Sequence, residues 1–109
     1  MKKQRVYVAG PMTGLPDLNS PAFVAEVARL RAEGHEVLSP TEINAGLEHE
    51  GWHACMRRDI PVLLTCDAVQ LLRGWQGSKG ARIEAFLAAE FGLEVWQPVT
   101  RLDWSEVEA

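Results

Sequence analysis

The stretch Val6-Tyr7-Val8-Ala9-Gly10-Pro11-Met12-Thr13-Gly14 decides how the rest of the chain is read. Four apolar residues break abruptly into Gly10-Pro11, and a second glycine follows at position 14. A short apolar run closed by Gly and Pro reads as a buried strand. A plain connection needs one turn signal. This loop carries several, which marks it as a binding loop rather than a link.

Outward from this strand, the chain alternates between two periodicities. "NSPAFVAEVARLRAEG" predicts a helix with Ser20 as N-cap, Pro21 at the first helical position and Gly34 as its stop. Phe23, Val27 and Leu30 form its apolar stripe. "HEVLSP" predicts a short strand that ends at Pro40, and residues 41–51 read as a polar loop with some helical turn. "WHACMRRDIPVLLTC" has helical spacing, with Pro61 marking either a kink or the start of a second helix. Residues 68–72 predict a third strand. A strong helix is expected from Ser78 to about Phe91, closed by Gly92, and "LEVWQP" predicts a fourth strand.

The resulting β-α-β-α-β-α-β order implies an α/β fold. The expectation is a three-layer sandwich, flavodoxin- or Rossmann-like, with a mainly parallel sheet of four to five strands. Ligands in such folds sit at the carboxyl ends of the strands. The Gly10–Gly14 loop falls there, and so does the "RGWQGS" segment after the third strand.

The chain has 109 residues and is 47% hydrophobic, which suits a single domain spanning residues 1–109. Its core is expected at about residues 5–97, followed by a short acidic tail that carries Trp104. The net charge of −4, without blocks of like charge, argues against a dedicated nucleic-acid or membrane-surface protein. The basic start "MKKQR" is followed by too few apolar residues for a secretory segment, and no run is long enough for a membrane helix. Cys55 and Cys66 form no CxxC pair. Reduced thiols in a cytoplasmic protein are therefore expected.

One residue breaks the pattern. On the helix "SKGARIEAFLAAEF", Lys79, Arg82 and Glu90 mark the solvated face, whereas Glu84 falls on the packed face with Gly80, Ala81, Leu87, Ala88 and Phe91. A buried carboxylate is costly unless it is paired or functional. Two readings follow: a structural acid bonded to Arg57 or Arg58 or leaning to water, or a catalytic carboxylate beneath a binding site at the helix N-terminus. Ser78 is expected as the N-cap. Gly77, Ser78, Lys79 and Gly80 would also suit an anion at the positive helix end. Asp59 reads as a helix cap or a surface ion pair, and Asp67 reads as a turn acid that bonds local backbone amides. His49 and His53 lie at i, i+4 but have no third ligand at a helpful spacing, so no metal is expected. Trp52 and Trp96 are expected in the core or at a dimer contact. Trp75, in the second loop, is the aromatic most suited to the site.

"VYVAGPMTG", "RRDIPVLLTCD" and "GWQGSKGARIEAFLAAEFG", in this order and spacing, resemble the nucleoside 2-deoxyribosyltransferase-like superfamily over residues 5–97. They are most similar to its small phage and bacterial members, and the branch that hydrolyses deoxynucleoside 5′-monophosphates is included in the likeness. The resemblance implies Glu84 as the nucleophile, Asp59 as a general acid toward the leaving base or as its anchor, and Tyr7 as a donor to Glu84. It also implies a substrate site formed by Gly10, Pro11, Met12, Thr13, Gly14, Trp75, Gly77, Ser78 and Gly80. The transferases carry an aspartate six residues before the nucleophile. This chain has Ser78 there, as the monophosphate hydrolases do. Those hydrolases also have a phosphate-binding serine in the first loop, where this chain has Pro11, leaving Thr13 or backbone amides for that task.

The reaction implied is hydrolysis or transfer at the N-glycosidic bond of a nucleoside or its 5′-monophosphate, with no cofactor and no metal. A nucleotide-binding module that uses the same pocket without turnover is the alternative. The partner implied is a small-molecule nucleoside or nucleotide, without nucleic acid or membrane. A homodimer or larger assembly is expected, with Trp52, Trp96 or Trp104 at the contact.

Overall fold

The computed structural model describes residues 2–99. Strands β1 (Arg5–Ala9), β2 (Glu36–Leu38), β3 (Ala68–Leu71) and β4 (Glu94–Trp96) alternate with helices α1 (Ser20–Ala32), α2 (Pro40–Ile43), α3 (Trp52–Leu63) and α4 (Lys79–Glu90). The strands form one fully parallel four-stranded sheet in the order β2-β1-β3-β4. The α/β sandwich read from the sequence is the one formed, at the lower of the two expected strand counts. Trp104 and the acidic tail lie outside the described residues.

The strand order reverses between β1 and β3, the place where doubly wound sheets open a crevice at their carboxyl ends. Alternation along each strand separates two cores. On one face Val6, Val8, Ala68 and Leu72 pack against Phe23, Val27 and Leu30 of α1. On the other, Tyr7, Ala9, Val69 and Leu71 pack against Leu63 of α3 and Ala85 and Ala88 of α4. Gln70 is buried on the α1 side, where its amide donates to the Leu71 and Gln97 carbonyls and accepts from Arg29.

Several local expectations need correction. Ser20 is the first residue of α1 rather than its cap, and Asn19 holds the cap position without a side-chain cap bond. Asp17, Leu18 and Asn19 all adopt positive φ (51°, 53° and 61°), and Asn19 Nδ2 donates instead to the Pro11 carbonyl at 3.0 Å. Such a left-handed run costs roughly 1–2 kcal/mol per residue, so this loop is held by its surroundings rather than by its own preference. Pro61 neither ends α3 nor begins a new helix. It is exposed within the last turn, where the lost backbone bond faces solvent. Phe91 follows α4 and is 66% exposed, not packed. Among the described residues no helix is long and apolar enough to cross a membrane.

Candidate active site

Tyr7 stands in the middle of β1, flanked by Leu38 of β2 and Val69 of β3 in register. Its side chain is fully buried on the α3–α4 face, so its hydroxyl must find a partner there. It donates to Glu84 Oε2 at 2.6 Å, joining residues 77 positions apart. Glu84 reaches this point because Gly80, Ala81, Ala85 and Ala88 leave α4 narrow on its sheet-facing side. Neither Arg57 nor Arg58 bonds Glu84. Arg58 instead bonds Asn44 and Glu50, so the structural ion pair considered for Glu84 is absent.

Asp59 comes from α3 and is 4% exposed, as is Glu84. It is neither a cap nor a surface ion pair. Its Oδ1 accepts from Asn44 Nδ2 at 2.8 Å. Asp67 is a structural acid, but not through the local turn expected: its Oδ2 accepts at 2.8 Å from the amide of Arg5, 62 positions away at the start of β1.

Both buried acids line a cavity of about 240 Å³. Gly10, Met12 and Thr13 form its wall from the first loop, Trp52, Cys55 and Met56 from α3, and Ser78, Gly80 and Ala81 from α4. An outer recess of about 370 Å³ shares Met12, Thr13, Trp52, Ser78 and Gly80 with it and adds Pro11, Gly77 and Lys79. The cleft is thus of small-ligand size and largely apolar around a few convergent polar groups. The left-handed turn places Leu18 at its rim.

Burial pushes Glu84 up to about 8. The Tyr7 hydrogen bond opposes this, and the nearby Asp59 charge adds to it. Burial also pushes Asp59 up, to about 6, against the pull of the Asn44 hydrogen bond and the Arg58 charge. Burial and the two acids drive the Tyr7 phenol well above its ordinary value, so it remains a donor. Two acids whose ionisations are separated by their surroundings hold one proton between them near neutral pH.

Most of the expected site residues meet at this cleft, but two do not. Gly14 is exposed and lines neither recess, and its φ of +83° is what calls for glycine there. Trp75 packs against the core beneath α4 and lines neither recess, and its buried Nε1 lacks a hydrogen-bond partner among the described residues. Trp52 takes the place expected for Trp75, with Lys79 Nζ 4.7 Å from its ring centroid. Gly10 lines the cleft, but its missing side chain also serves packing: a Cβ there would lie 2.6 Å from Leu72 Cβ. Ser78 caps α4, its hydroxyl accepting from the Ala81 amide at 3.2 Å, and the residue borders both recesses. His49 lies in a 3₁₀ turn and His53 in α3, with Gly51 at φ 97° between them, so no continuous helix spans the pair.

Asn44, Trp52 and Met56 are among the lining residues that the sequence reading did not assign to the site, together with Leu18, Cys55 and Ala81. The signal for two of them was present: Trp52, Met56 and Asp59 recur at i, i+4, i+7 on one face of α3. Asn44, in a short connection, had no such signal.

The profile of a family described as "Domain of unknown function (DUF4406)" matches residues 4–97. The chain belongs to the DUF4406 family. The matched span takes in all four strands and every residue lining the cleft. No curated protein matches this DUF4406 chain. Among solved structures it is similar to a 2-desoxiribosyltransferase from Leishmania mexicana, with a TM-score of 0.66 and 22% identity. The likeness covers 86% of this chain but 63% of the Leishmania chain. It is a likeness of fold, so the fold implied by the sequence resemblance is the one this DUF4406 chain adopts.

Proposed function

We propose that this protein cleaves the N-glycosidic bond of a nucleoside or nucleoside 5′-monophosphate, with Glu84 as the nucleophile. The observation that carries this reading is the buried Tyr7–Glu84 hydrogen bond on the floor of a cleft that also holds Asp59. The shared fold with a deoxyribosyltransferase supports it. Tyr7 ties Glu84 Oε2, and Oε1 has no partner among the described residues. In the reaction Oε1 attacks the anomeric carbon of the sugar, and the bond from that carbon to the base nitrogen breaks. The electron pair leaves on the base, which takes the proton of Asp59. Water or a second base then displaces the glycosyl group from Glu84, as in retaining glycosidases.

This reaction requires Glu84 ionised and Asp59 protonated. The free protein favours the reverse distribution, because Glu84 is the weaker acid of the two. The active form is thus a minor tautomer of the singly protonated pair. A bell-shaped dependence of kcat/KM follows, with limbs near about 6 and about 8.

A second reading has its own support. A Glu84 that is mainly protonated at neutral pH suits a pocket that binds a nucleotide without cleaving it. One experiment separates the two: incubate wild type and Glu84→Ala with ribo- and deoxyribonucleosides and their 5′-monophosphates, and follow free base by chromatography. Base release by wild type that disappears in Glu84→Ala supports the enzyme. Binding without release supports the module.

Ser78 at the start of α4 and Thr13 across the outer recess favour a 5′-monophosphate over a free nucleoside in this reading. A second copy of the chain would close the open side of the cleft, and the exposed Leu15 and Leu18 beside it support this. Sedimentation at micromolar concentration tests it, a dimer being expected and a monomer counting against it.

A further inference from the structure

Asn44 stands outside the reaction as proposed, yet it is 3% exposed and all of its side-chain hydrogen-bonding groups are engaged. Its Nδ2 donates to Asp59 Oδ1 at 2.8 Å and to the Pro40 carbonyl at 3.1 Å. Its Oδ1 accepts from Arg58 Nη1 at 2.8 Å, and Arg58 is in turn paired with Glu50. The amide therefore has one workable orientation. Turned over, it would set its oxygen against a carboxylate and a carbonyl, and its N–H groups against a guanidinium.

The fixed orientation has a consequence for Asp59. An N–H directed at Oδ1 favours that oxygen as the carbonyl acceptor of the protonated acid, since a carbonyl oxygen accepts better than a hydroxyl. Oδ2 has no partner among the described residues, and Asp59 lines the cleft. We propose that Asn44 is a positioning residue for Asp59: its amide pins Oδ1, so the transferable proton resides on Oδ2, the oxygen open to the leaving base. Arg58 polarises the amide from behind and strengthens its hold. This role rests on the glycosidic reading given above.

The charged and titratable groups around Asp59 are Arg58 and Cys55 on α3, Glu84 on α4 and Tyr7 on β1. Replacing Asn44 also removes the acceptor of Arg58, so the Arg58→Leu variant separates the effect of the amide on Asp59 from that of the guanidinium.

The test is a pH titration of the Asp59 carboxyl carbon by ¹³C NMR in wild type, Asn44→Leu and Arg58→Leu, beside the pH profile of base release. In Asn44→Leu the Asp59 midpoint is expected to rise by about one unit, a tenfold shift in its protonation, with a smaller rise in Arg58→Leu. The limb of the activity profile assigned to Asp59 should move by the same amount. An unmoved midpoint in folded Asn44→Leu overturns the proposal. If Asn44→Leu does not fold, Asn44→Ser, too short to reach Oδ1, is expected to give the same rise and overturns the proposal if it does not. Should wild type release no base from any substrate, the glycosidic reading falls, while the titration still decides whether Asn44 controls Asp59.

Discussion

The two faces of the sheet are built from alternate residues of the same strands, yet they differ in kind. On the α1 face, Val6, Val8 and Leu72 meet Phe23, Val27 and Leu30, and large apolar side chains fill the space. On the α3–α4 face, β1 contributes Tyr7 and Ala9 and α4 contributes alanines, and the space left holds two acids and a cleft. One face stabilises the fold. The other gives up packing so that carboxyl groups can sit where burial raises them out of their ordinary range. In β1 the distinction rests on single steps along the chain: Val6 and Val8 face one way, Tyr7 the other.

The strongest way to sharpen this contrast is Glu84→Gln. Base release should fall by at least roughly a thousandfold, the scale on which loss of a nucleophile acts. Stability should move in the opposite direction. The folded protein holds the Glu84 proton up to about 8, against an ordinary 4.5, so it binds more protons than the unfolded chain in that range. Stability of wild type therefore declines as pH rises through that window, by up to ~1.4 kcal/mol per unit. Glutamine has no proton to lose. The Tm advantage of Glu84→Gln should widen from pH 5 to pH 8 and level off above. A constant difference across that range would show that burial does not shift Glu84.

Phe23→Ala probes the other face. Loss of a fully buried phenylalanine is expected to cost about 3–5 kcal/mol in denaturant unfolding. Base release per folded molecule should stay within about threefold of wild type, because the altered side chain lies across the sheet from both acids. A loss of activity beyond the loss of folded protein would break the division of labour between the faces.

Tyr7→Phe keeps the ring and removes the donor to Glu84. A hydrogen bond to a charged group is worth about 1.5–3 kcal/mol, so kcat/KM should fall roughly 10- to 100-fold. The limb assigned to Glu84 should move to higher pH, since its ionised form loses its donor. An unchanged limb would mean that Tyr7 does not support the charge. Gly80→Ala is the mildest test. A Cβ there would lie 3.3 Å from both Met56 Sδ and Trp52 Nε1, at the wall of the cleft. The better helix propensity of alanine, roughly 1 kcal/mol, offsets the crowding. KM should rise a few-fold with little change in Tm or kcat, and a Tm loss of several degrees would show that the wall cannot yield.

The α1 face was almost wholly legible in the sequence. Phe23, Val27 and Leu30 repeat at helical spacing, Val6 and Val8 alternate, and these patterns predict the partners that meet. The other face was legible in part. Glu84 stood out because helical phase placed it among small apolar residues, and Asp59 and Tyr7 entered through family resemblance rather than pattern. Trp75 was misassigned because position in a loop says nothing of the direction a ring takes. Phe91 was misassigned because helical phase was extended one residue past the end of α4. Asn44 was invisible, since a single asparagine in a short connection has many ordinary roles.

The sequence by itself determined the order of strands and helices, the parallel sheet and the presence of an acid on the wrong side of a helix. Each of these is written in spacings of two to four residues, which the backbone converts directly into direction. Only the tertiary structure decided that Trp52 rather than Trp75 walls the cleft, that Asp59 is buried beside Glu84 and that Asn44 grips it. Those contacts join residues far apart in the chain. They depend on which face each crossover takes and how closely α3 and α4 approach, and that is set by side-chain volumes such as the missing Cβ of Gly80 rather than by any local period.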